Sequence, residues 1–404
     1  MSTVHRHSQA RVVIAGARFA ALEAVLALRA FADDAVRTYV LSAETQFIFT
    51  PAAPGELFGP IPRTRWPLHD LAARAGASLV PGALGSIDAG KQRIITTDAQ
   101  AIDYDFAIVA VGGRPEAWLD APGLTFSGPE DVPTMGRQLD DVAARVADGQ
   151  RVRVAFVVPP GSGWVIPGYE LALMARRYLI ELGVGDAAEL MVVTSEDAPL
   201  GIFGQSAAQS ISEALAGANI ALHAGSIVRG WVDGHLQIVP EVELAADVVI
   251  SLPMIHGPEV EGIAQTSTGF VDADLDGRVR HERRVFVAGD AGPFPVKQAG
   301  LACQQADCVA AAICADLGVA TPALPQSPVL RGLLWSGDGD QFLRRDLAGG
   351  RDESLGTVSV ATALWWPPGK VAGRFLAPFL HEIEALELVD LPAPGPIPAP
   401  RATE

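Results

Sequence analysis

The chain has 404 residues, and its 49% hydrophobic and 19% charged residues suit two or three folded domains rather than a disordered chain. Its net charge of −17 repels phosphate backbones, which disfavours nucleic acid as a partner and leaves membrane association peripheral at most. Its three cysteines, Cys303, Cys308 and Cys314, form no CxxC pair and have no nearby histidine at ligand spacing, so we predict no metal site and interpret them as buried helix cysteines.

The first predicted unit is a strand, a glycine turn, a helix and a second strand. An apolar run over 11–15 ends at Gly16, residues 20–29 are strong helix formers, and residues 38–41 are typical of a strand. Arg18 and Glu23 interrupt this apolar stretch, and the sequence has no uncharged apolar run of about 18 residues. We therefore predict neither a signal peptide nor a transmembrane span, and a cytoplasmic location.

A second unit of the same kind begins with a strand over 151–159 and continues with a helix over 169–182. Between the two units, a small antiparallel meander is expected within 79–97, and a buried strand over 104–113 ends in two glycines. A hairpin around Asp233-Gly234 mirrors that meander. The repetition predicts an α/β fold with two dinucleotide-binding domains.

The first glycine turn has the position at which a dinucleotide pyrophosphate would meet backbone N–H groups. Gly16 and Ala21 occupy the first and third positions of a G-x-G-x-x-G/A fingerprint, but Arg18 replaces the second glycine. Arg18 either crowds the phosphates or points outward and neutralises them. The ribose-binding acid expected about 20 residues later falls near Ser42 or Glu44.

A stronger signal follows the strand over 284–288, where Gly289-Asp290 precedes Lys297 and a helix predicted for 300–317. A carboxylate fixed at a strand end can accept a hydrogen bond from a ribityl hydroxyl of FAD. The helix N-terminus and Lys297 can then favour negative charge on the flavin pyrimidine edge. The alternative is an exposed turn aspartate and a solvated lysine.

In this order, the segments over 11–24, 104–115 and 284–306 resemble the FAD-dependent pyridine-nucleotide oxidoreductases. The resemblance covers about residues 10–320 and is closest to the branch containing type II NADH dehydrogenases and sulfide:quinone oxidoreductases. It implies two Rossmann-like domains, with Lys297 and Gln298 beside the reacting flavin ring. The FAD-binding residues that it implies are Gly16, Phe19, Ala20, Ser42, Gly112, Gly289, Asp290, Lys297 and Gln298.

The resemblance also implies domain bounds and a substrate pocket. We expect an FAD-binding domain over 1–125 and 265–325, an NAD(P)-binding-like domain over 126–264, a C-terminal interface segment over 326–390 and a flexible tail over 391–404. The run over 302–306 is similar to the glutamine-containing helix that lines the quinone pocket in type II NADH dehydrogenases. Gln304 and Gln305 are therefore candidate substrate residues, with ordinary helix surface as the alternative.

The second glycine turn could bind NAD(P)H through Gly161 and Gly163, and Glu196 after the next strand would suit the 2′-hydroxyl of NADH. Prolines in this turn remove N–H donors, so a vestigial repeat that binds no nucleotide is the alternative. Trp164 either stacks on a ring or plugs the site.

The cysteine positions depart from two relatives. Disulfide reductases carry a cysteine pair just after the second strand, whereas residues 43–51 contain none. Sulfide:quinone oxidoreductases use one cysteine near the second glycine turn and another late in the chain, whereas 160–168 has none and none follows Cys314. A persulfide route requires a thiolate nucleophile, so we predict chemistry without a thiol relay.

In the C-terminal segment, apolar residues between Val371 and Leu386 recur at helical spacing, opposite a face with Glu382, Glu384 and Glu387. This acidic face attracts anionic lipid poorly, so we expect packing against the FAD domain or a homodimer partner. Trp365 and Trp366 either cap the flavin pocket or fill that interface.

The sequence as a whole predicts an FAD enzyme that passes electrons from NAD(P)H to a quinone or another small acceptor. One alternative is a sulfide:quinone-oxidoreductase-like enzyme with a different donor. The other is a flavin-binding or inactive scaffold protein that acts through its C-terminal segment.

Overall fold

The computed structural model describes residues 9–389 except 33, 60, 62, 186, 241, 326, 338, 348–355, 360 and 361, so the predicted tail over 391–404 lies outside the described residues. The first main sheet is formed by β1 (Ala10–Ala15), β2 (Val36–Ser42), β5 (Ser78–Pro81), β9 (Phe106–Val109) and β20 (Val285–Val287). All five strands are parallel, in the order β20-β9-β1-β2-β5.

The second main sheet repeats this design. It is formed by β11 (Gly123–Thr125), β12 (Val152–Val158), β13 (Ala188–Thr194), β14 (Ile220–His223) and β18 (Val248–Ser251). These strands are also parallel, in the order β11-β18-β12-β13-β14. The predicted α/β class with two Rossmann-like units is confirmed, while the exact domain bounds stay a prediction.

Small antiparallel sheets accompany the two main sheets. In chain order the paired strands are β3 (Gln46–Ile48) with β4 (Arg65–Pro67), β6 (Leu84–Asp88) with β7 (Arg93–Thr96) and β8 (Ala101–Asp103), β10 (Arg114–Glu116) with β19 (Met254–His256), β15 (Ile227–Val232) with β16 (His235–Val239) and β17 (Val242–Ala245), and β21 (Val329–Trp335) with β22 (Asp340–Asp346) and β23 (Gly356–Ser359). Asp233 and Gly234 both have positive φ in the β15–β16 turn, as the predicted I′ hairpin requires.

The helices described are α1 (Phe19–Ala32), α2 (Ala53–Glu56), α3 (Leu68–Ala75), α4 (Val132–Ala147), α5 (Ile166–Glu181), α6 (Gln205–Gly217), α7 (Ala299–Asp316) and α8 (Leu376–Val389). The helices predicted after the two glycine turns and for 300–317 correspond to α1, α5 and α7. Residues 78–81 differ from expectation, because they form a parallel edge strand of the first sheet instead of the start of the meander.

Helices α1 and α7 pack on each other and share one apolar core with the first sheet. Leu22 and Leu28 of α1 and Val309 and Ile313 of α7 are fully buried in this core. Each such side chain contributes roughly 1.5–3 kcal/mol by leaving water. This packing fixes the N-termini of both helices at the same edge of the first sheet.

Two buried carboxylates hold the C-terminal segment against the rest of the chain. Glu23 on α1 accepts hydrogen bonds from the backbone N–H groups of Phe375 (2.8 Å) and Leu376 (2.7 Å), at the start of α8. Glu170 on α5 pairs with the ammonium group of Lys370, which is also buried. The segment therefore bridges α1 and α5.

The predicted apolar face of the C-terminal segment packs against the first sheet's core, where Leu376, Leu380 and Ile383 of α8 are buried. The homodimer stays a prediction. Among the described residues, no helix combines the length and apolar character that crossing a membrane requires.

Candidate functional site

The first glycine turn is shaped by the neighbouring strand. Gly16 has φ of +116°, and a Cβ there would lie 2.2 Å from the carbonyl oxygen of Ala110, just after β9. Only glycine fits this close approach. Phe19 packs edge-on against Phe47 at 5.3 Å between ring centroids, and Arg18 is exposed rather than folded into the turn. The N-terminus of α1 is thus left lined by backbone and small residues such as Ala20.

Three other segments converge on this turn. Gly289 has φ of +78°, and a Cβ there would lie 3.0 Å from the Cβ of Ala20 and 3.4 Å from that of Ala302. Gly113 approaches the backbone of Asp290, since its Cβ would lie 3.4 Å from that carbonyl oxygen. At Gly112, with φ of +81°, a Cβ would meet nothing within 4 Å. The predicted glycines therefore share one edge of the first sheet.

Asp290 and Lys297 form the charged part of this edge. Desolvation raises the pKa of Asp290 to about 6, although the residue is partly exposed, and Lys297 lowers that pKa by attraction. Burial lowers the pKa of Lys297 to about 8, offset in part by Asp290. The Lys297 ammonium donates to the carbonyl oxygen of Gly292 at 2.6 Å and lies 3.8 Å from the centroid of the Phe270 ring.

Gln298 is the N-cap residue of α7. Its Oε1 accepts from the backbone N–H of Leu301 at 2.7 Å, and its Nε2 donates to the carbonyl oxygen of Arg331 at 2.9 Å. Both ends of the amide are engaged within the protein. Gln298 therefore orients the helix N-terminus that faces Lys297 and Asp290.

On the ribose side, Ser42 is buried at the end of β2 and Glu44 is exposed. The Ser42 hydroxyl accepts a hydrogen bond from the backbone N–H of Glu44 at 3.0 Å. Both predicted candidates thus lie in one short turn after β2.

The second glycine turn packs against the first site. The carbonyl oxygen of Gly163 accepts from the backbone N–H of Lys297 at 2.9 Å, and a Cβ on Gly163 would lie 2.5 Å from the Cγ of Lys297. The carbonyl oxygen of Gly161 accepts from Ile255 at 3.0 Å. Gly163 thus also joins the second unit to the segment just before α7, whereas Gly161 contacts Ile255 of β19 within the second unit.

Glu196 and Trp164 have partners inside the second unit. The Tyr169 hydroxyl donates to a Glu196 carboxylate oxygen at 2.6 Å, and burial raises the pKa of Glu196. Trp164 contacts Phe203 edge-on at 5.9 Å between ring centroids. Of the two interpretations of Trp164, this contact favours packing over ring stacking on a nucleotide.

A cavity of about 950 Å³ lies beside α7. Gln304 and Gln305 line it, as the resemblance implies, but Gln304 exchanges two hydrogen bonds with the backbone of Val329 (2.8 and 2.9 Å). The Oε1 of Gln305 accepts from the backbone N–H of Gly289 at 2.8 Å. Gln305 therefore links the cavity wall to the Gly289-Asp290 turn. Other lining residues are Leu301, Asp307, Cys308, Phe294, Leu324, Arg331, Trp365, Trp366 and Arg374.

All three cysteines are free and lie on α7. Burial raises the pKa of each thiol, to about 11 for Cys314 and well above its usual range for Cys303. Groups of three or more potential metal ligands are absent from the part of the chain that the structure describes.

Several site residues were missed by the sequence reasoning. Phe270 and Arg331 come from segments with no motif, and their positions follow only from long-range packing. Asp307 lies in the predicted helix over 300–317, but no local pattern indicates that it is buried. Gly168 had a usable signal, a glycine in the first turn of a helix. A Cβ on Gly168 would lie 2.5 Å from a methyl group of Val158, so it permits close packing of α5 on β12.

The first site fits the FAD that the resemblance implies. Gly112 has open space where a side chain would stand, and the first glycine turn leads into the N-terminus of α1, the end of a helix whose N–H groups generally bind phosphate. The Asp290 carboxyl has no hydrogen-bond partner among the described residues, although desolvation makes such a partner favourable. A ribityl hydroxyl would supply one.

The model of the pyridine nucleotide-disulphide oxidoreductase family matches residues 10–306. Among solved structures, the sulfide:quinone oxidoreductase of Aquifex aeolicus is similar with a TM-score of 0.77 and 19% identity, covering 94% of this chain and 91% of that one. NDH2 of Plasmodium falciparum, solved with NADH, gives 0.65 and 12% identity over 86% of this chain and 92% of that one. A ferredoxin reductase of Rhodopseudomonas palustris gives 0.63 and 18% identity over 84% and 83%.

At these identities the solved structures support the fold, while the family match covers most of the chain. The chain belongs to the pyridine nucleotide-disulphide oxidoreductase family, and it is an FAD-dependent oxidoreductase.

Proposed function

We propose that the protein transfers electrons from NADH through its bound FAD to a quinone or a similar flat, apolar acceptor, without a redox-active cysteine pair. The proposal rests on the cavity beside α7. Gln305, which lines this cavity, is hydrogen-bonded to the Gly289-Asp290 turn. FAD, when bound, supplies the two-electron chemistry between donor and acceptor.

The chain's own residues would position and polarise that chemistry. Asp290 would accept a hydroxyl hydrogen bond from the cofactor, and Gln298 holds the N-terminus of α7 in place. Lys297 and that helix end together provide positive potential at the predicted flavin edge. Because burial lowers the pKa of Lys297 to about 8, a nearby negative charge would also favour its protonated form.

The donor is proposed from the second unit. Gly161 and Gly163 have positive φ in a turn before α5, and this turn contacts Lys297 through Gly163. A dinucleotide held by that turn would therefore bind next to Lys297, which is proposed for the flavin edge. Glu196 at the end of β13 favours a ribose 2′-hydroxyl over a 2′-phosphate, which favours NADH.

The acceptor is proposed from the cavity's composition. Phe294, Leu301, Leu324 and Trp365 give it apolar walls of a size suited to a fused ring. Sulfide as the donor is less well supported, since the three thiols lie on α7 and burial disfavours their thiolate forms.

Anaerobic titration of the purified holoprotein with NADH tests the proposal. Loss of the flavin absorbance with one equivalent of NADH, and its return on adding a naphthoquinone, is the expected result. NADPH at the same concentration is the matched control and should react more slowly. A flavin that stays oxidised in NADH contradicts the proposed donor, and a folded protein that takes up no FAD contradicts the whole proposal.

A further inference from the structure

The acidic side chains that line the α7 cavity differ in their surroundings. Asp274 is exposed, whereas Asp307 is only 5% exposed. Asp307 Oδ1 is buried and has no hydrogen-bond partner among the described residues. A buried carboxyl oxygen without a partner is costly, so a ligand in the cavity that engages this group would be favoured.

Charged and titratable groups surround Asp307 on every packed element. Glu23 faces it from α1, Arg374 from the turn before α8, and Cys303 and Cys308 from α7 itself. Burial raises the pKa of Glu23 as well, although the backbone hydrogen bonds that it accepts lower that pKa, and a negative charge on one of these two buried carboxyls disfavours a second one nearby. Burial and, after it, repulsion by Glu23 raise the pKa of Asp307 to about 8, while attraction by Arg374 lowers that pKa.

We propose that Asp307 is a catalytic acid that donates a proton to a carbonyl oxygen of the quinone bound in the α7 cavity. This inference rests on the proposed function. Asp307 is protonated at neutral pH, it lies on the same helix as Gln305, and Gln305 contacts the Gly289-Asp290 turn. A neutral carboxylic acid can both donate a hydrogen bond to the acceptor and transfer that proton during reduction.

The proton and electron balance is simple. NADH, one proton and the quinone give NAD⁺ and the quinol, so the two electrons and one of the two protons derive from NADH. The second proton comes from solvent through Asp307. Its O–H bond breaks as the quinol O–H bond forms, and the resulting carboxylate then takes up a proton from water.

The test compares wild-type holoprotein with Asp307→Asn, which keeps the side-chain volume but cannot release a proton. Asp316→Asn is the matched control. Asp316 is on the same helix, forms an ion pair with Arg278 at 3.0 Å and does not line the cavity. The first readout is binding of 2-methyl-1,4-naphthoquinone to the oxidised protein, measured by quenching of tryptophan fluorescence. Trp365 and Trp366 line the cavity and should report the binding.

We expect the dissociation constant of wild-type protein and of Asp316→Asn to rise about tenfold per pH unit above pH 8 as Asp307 ionises, relative to that of Asp307→Asn. Lys297 titrates in the same range but is present in all three proteins, so its contribution cancels. The second readout is reoxidation of dithionite-reduced protein by the same quinone. It should be roughly 10²-fold slower in Asp307→Asn at pH 7.

Identical pH profiles for binding and reoxidation in all three proteins would overturn the role of Asp307. Absence of quinone quenching in wild-type protein would overturn the cavity as the acceptor site. Neither outcome depends on NADH, so failure of this inference is distinguishable from failure of the proposed donor, which the NADH titration reports alone.

Discussion

The two glycine turns follow equivalent strands, β1 and β12, but their glycines contact different parts of the protein. Gly16 lies against the backbone of Ala110, within its own sheet. Gly163 lies against Lys297, which belongs to the other unit. Close packing of the helix on its strand is provided in the second unit by Gly168, inside the first turn of α5.

This difference teaches that one local pattern can serve two purposes. The first turn is shaped by its own sheet, which leaves the N-terminus of α1 free for a phosphate group. The second turn contacts Lys297 through Gly163, so it would position the ammonium group proposed for the flavin edge whether or not a nucleotide binds there. Substitutions at the glycines can therefore separate the two roles.

The largest effect is expected for Gly16→Ala. The new methyl group would meet a backbone oxygen at 2.2 Å and the residue would keep φ of +116°, so the sheet edge must move. We expect a loss of roughly 3 kcal/mol in the free energy of unfolding, together with loss of bound FAD. Urea unfolding and the flavin-to-protein absorbance ratio measure both.

Gly112→Ala is the control for the unfolding measurement, made on flavin-free protein because Gly112 is itself a predicted FAD-binding residue. It introduces the same strain at positive φ, but its Cβ meets open space, so it should cost only about 1 kcal/mol. Equal losses in the two variants would mean that the contact with Ala110 does not define the first turn.

The sequence was sufficient for the parts of the fold that local pattern determines. Apolar runs before glycines indicated β1, β12 and β20, and their helices follow with bounds within a few residues. It did not indicate the sheet of β21, β22 and β23, because Arg331 and Arg344 interrupt the alternation of apolar residues there. The sequence also placed the start of the meander too early. Residues 78–81 form β5 of the first sheet, and only their pairing with β2 shows this.

The candidate site divides in the same way. Gly289, Asp290 and Lys297 were predictable because they are close in sequence and in a recognisable order. The pairing of Glu170 with Lys370 joins residues 200 positions apart, and no local pattern encodes it. The burial of Asp307 likewise depends on α1 and on the C-terminal segment, both distant in the chain.

A smaller effect is expected for Gly163→Ala. The added methyl group would lie 2.5 Å from Lys297 Cγ, and we expect a loss of about 2 kcal/mol and a shift in the flavin spectrum as the ammonium group moves. Gly161→Ala has nearly the same φ but meets only the end of Met254 at 3.6 Å, so it should cost about 1 kcal/mol and leave the spectrum unchanged. A spectrum that is unaltered in both variants would contradict the contact between the units.

The pH dependence of stability tests the first site separately from the second glycine turn, because the charged pair of Asp290 and Lys297 belongs to the first site. In flavin-free protein the pKa of Asp290 is about 6, above its ordinary 3.8, so between these pH values the folded state binds a proton that the unfolded state lacks. This contribution to stability is present below pH 4 and is lost as the pH rises to about 6. Asp290→Asn should remove this contribution. Between about pH 4 and 6, its free energy of unfolding should therefore rise relative to that of wild type by about 1 kcal/mol per pH unit.

The contribution of Lys297 to stability changes with pH in the opposite direction, which provides an internal check. Its pKa is lowered from 10.5 to about 8, so the unfolded state binds more protons between those values and stability should rise with pH there. Lys297→Met should flatten the curve above pH 8 and leave the acidic window intact. Chemical unfolding at half-unit pH steps measures both effects. Identical stability curves for wild type and Asp290→Asn would argue against desolvation of the Asp290 carboxyl.

The smallest effect is expected at Arg18, the residue that replaces the second fingerprint glycine. Arg18 is exposed, and it directly precedes α1, at whose N-terminus a pyrophosphate would bind. Arg18→Ala should keep FAD but bind it less than tenfold more weakly, since an exposed charge pair contributes at most about 1 kcal/mol. The difference should shrink in high salt, because salt screens exposed charges and leaves backbone hydrogen bonds in place. Tighter FAD binding by Arg18→Ala at all salt concentrations would instead show that the arginine crowds the phosphates, and the first turn would then be limited by its side chain as well as by its sheet.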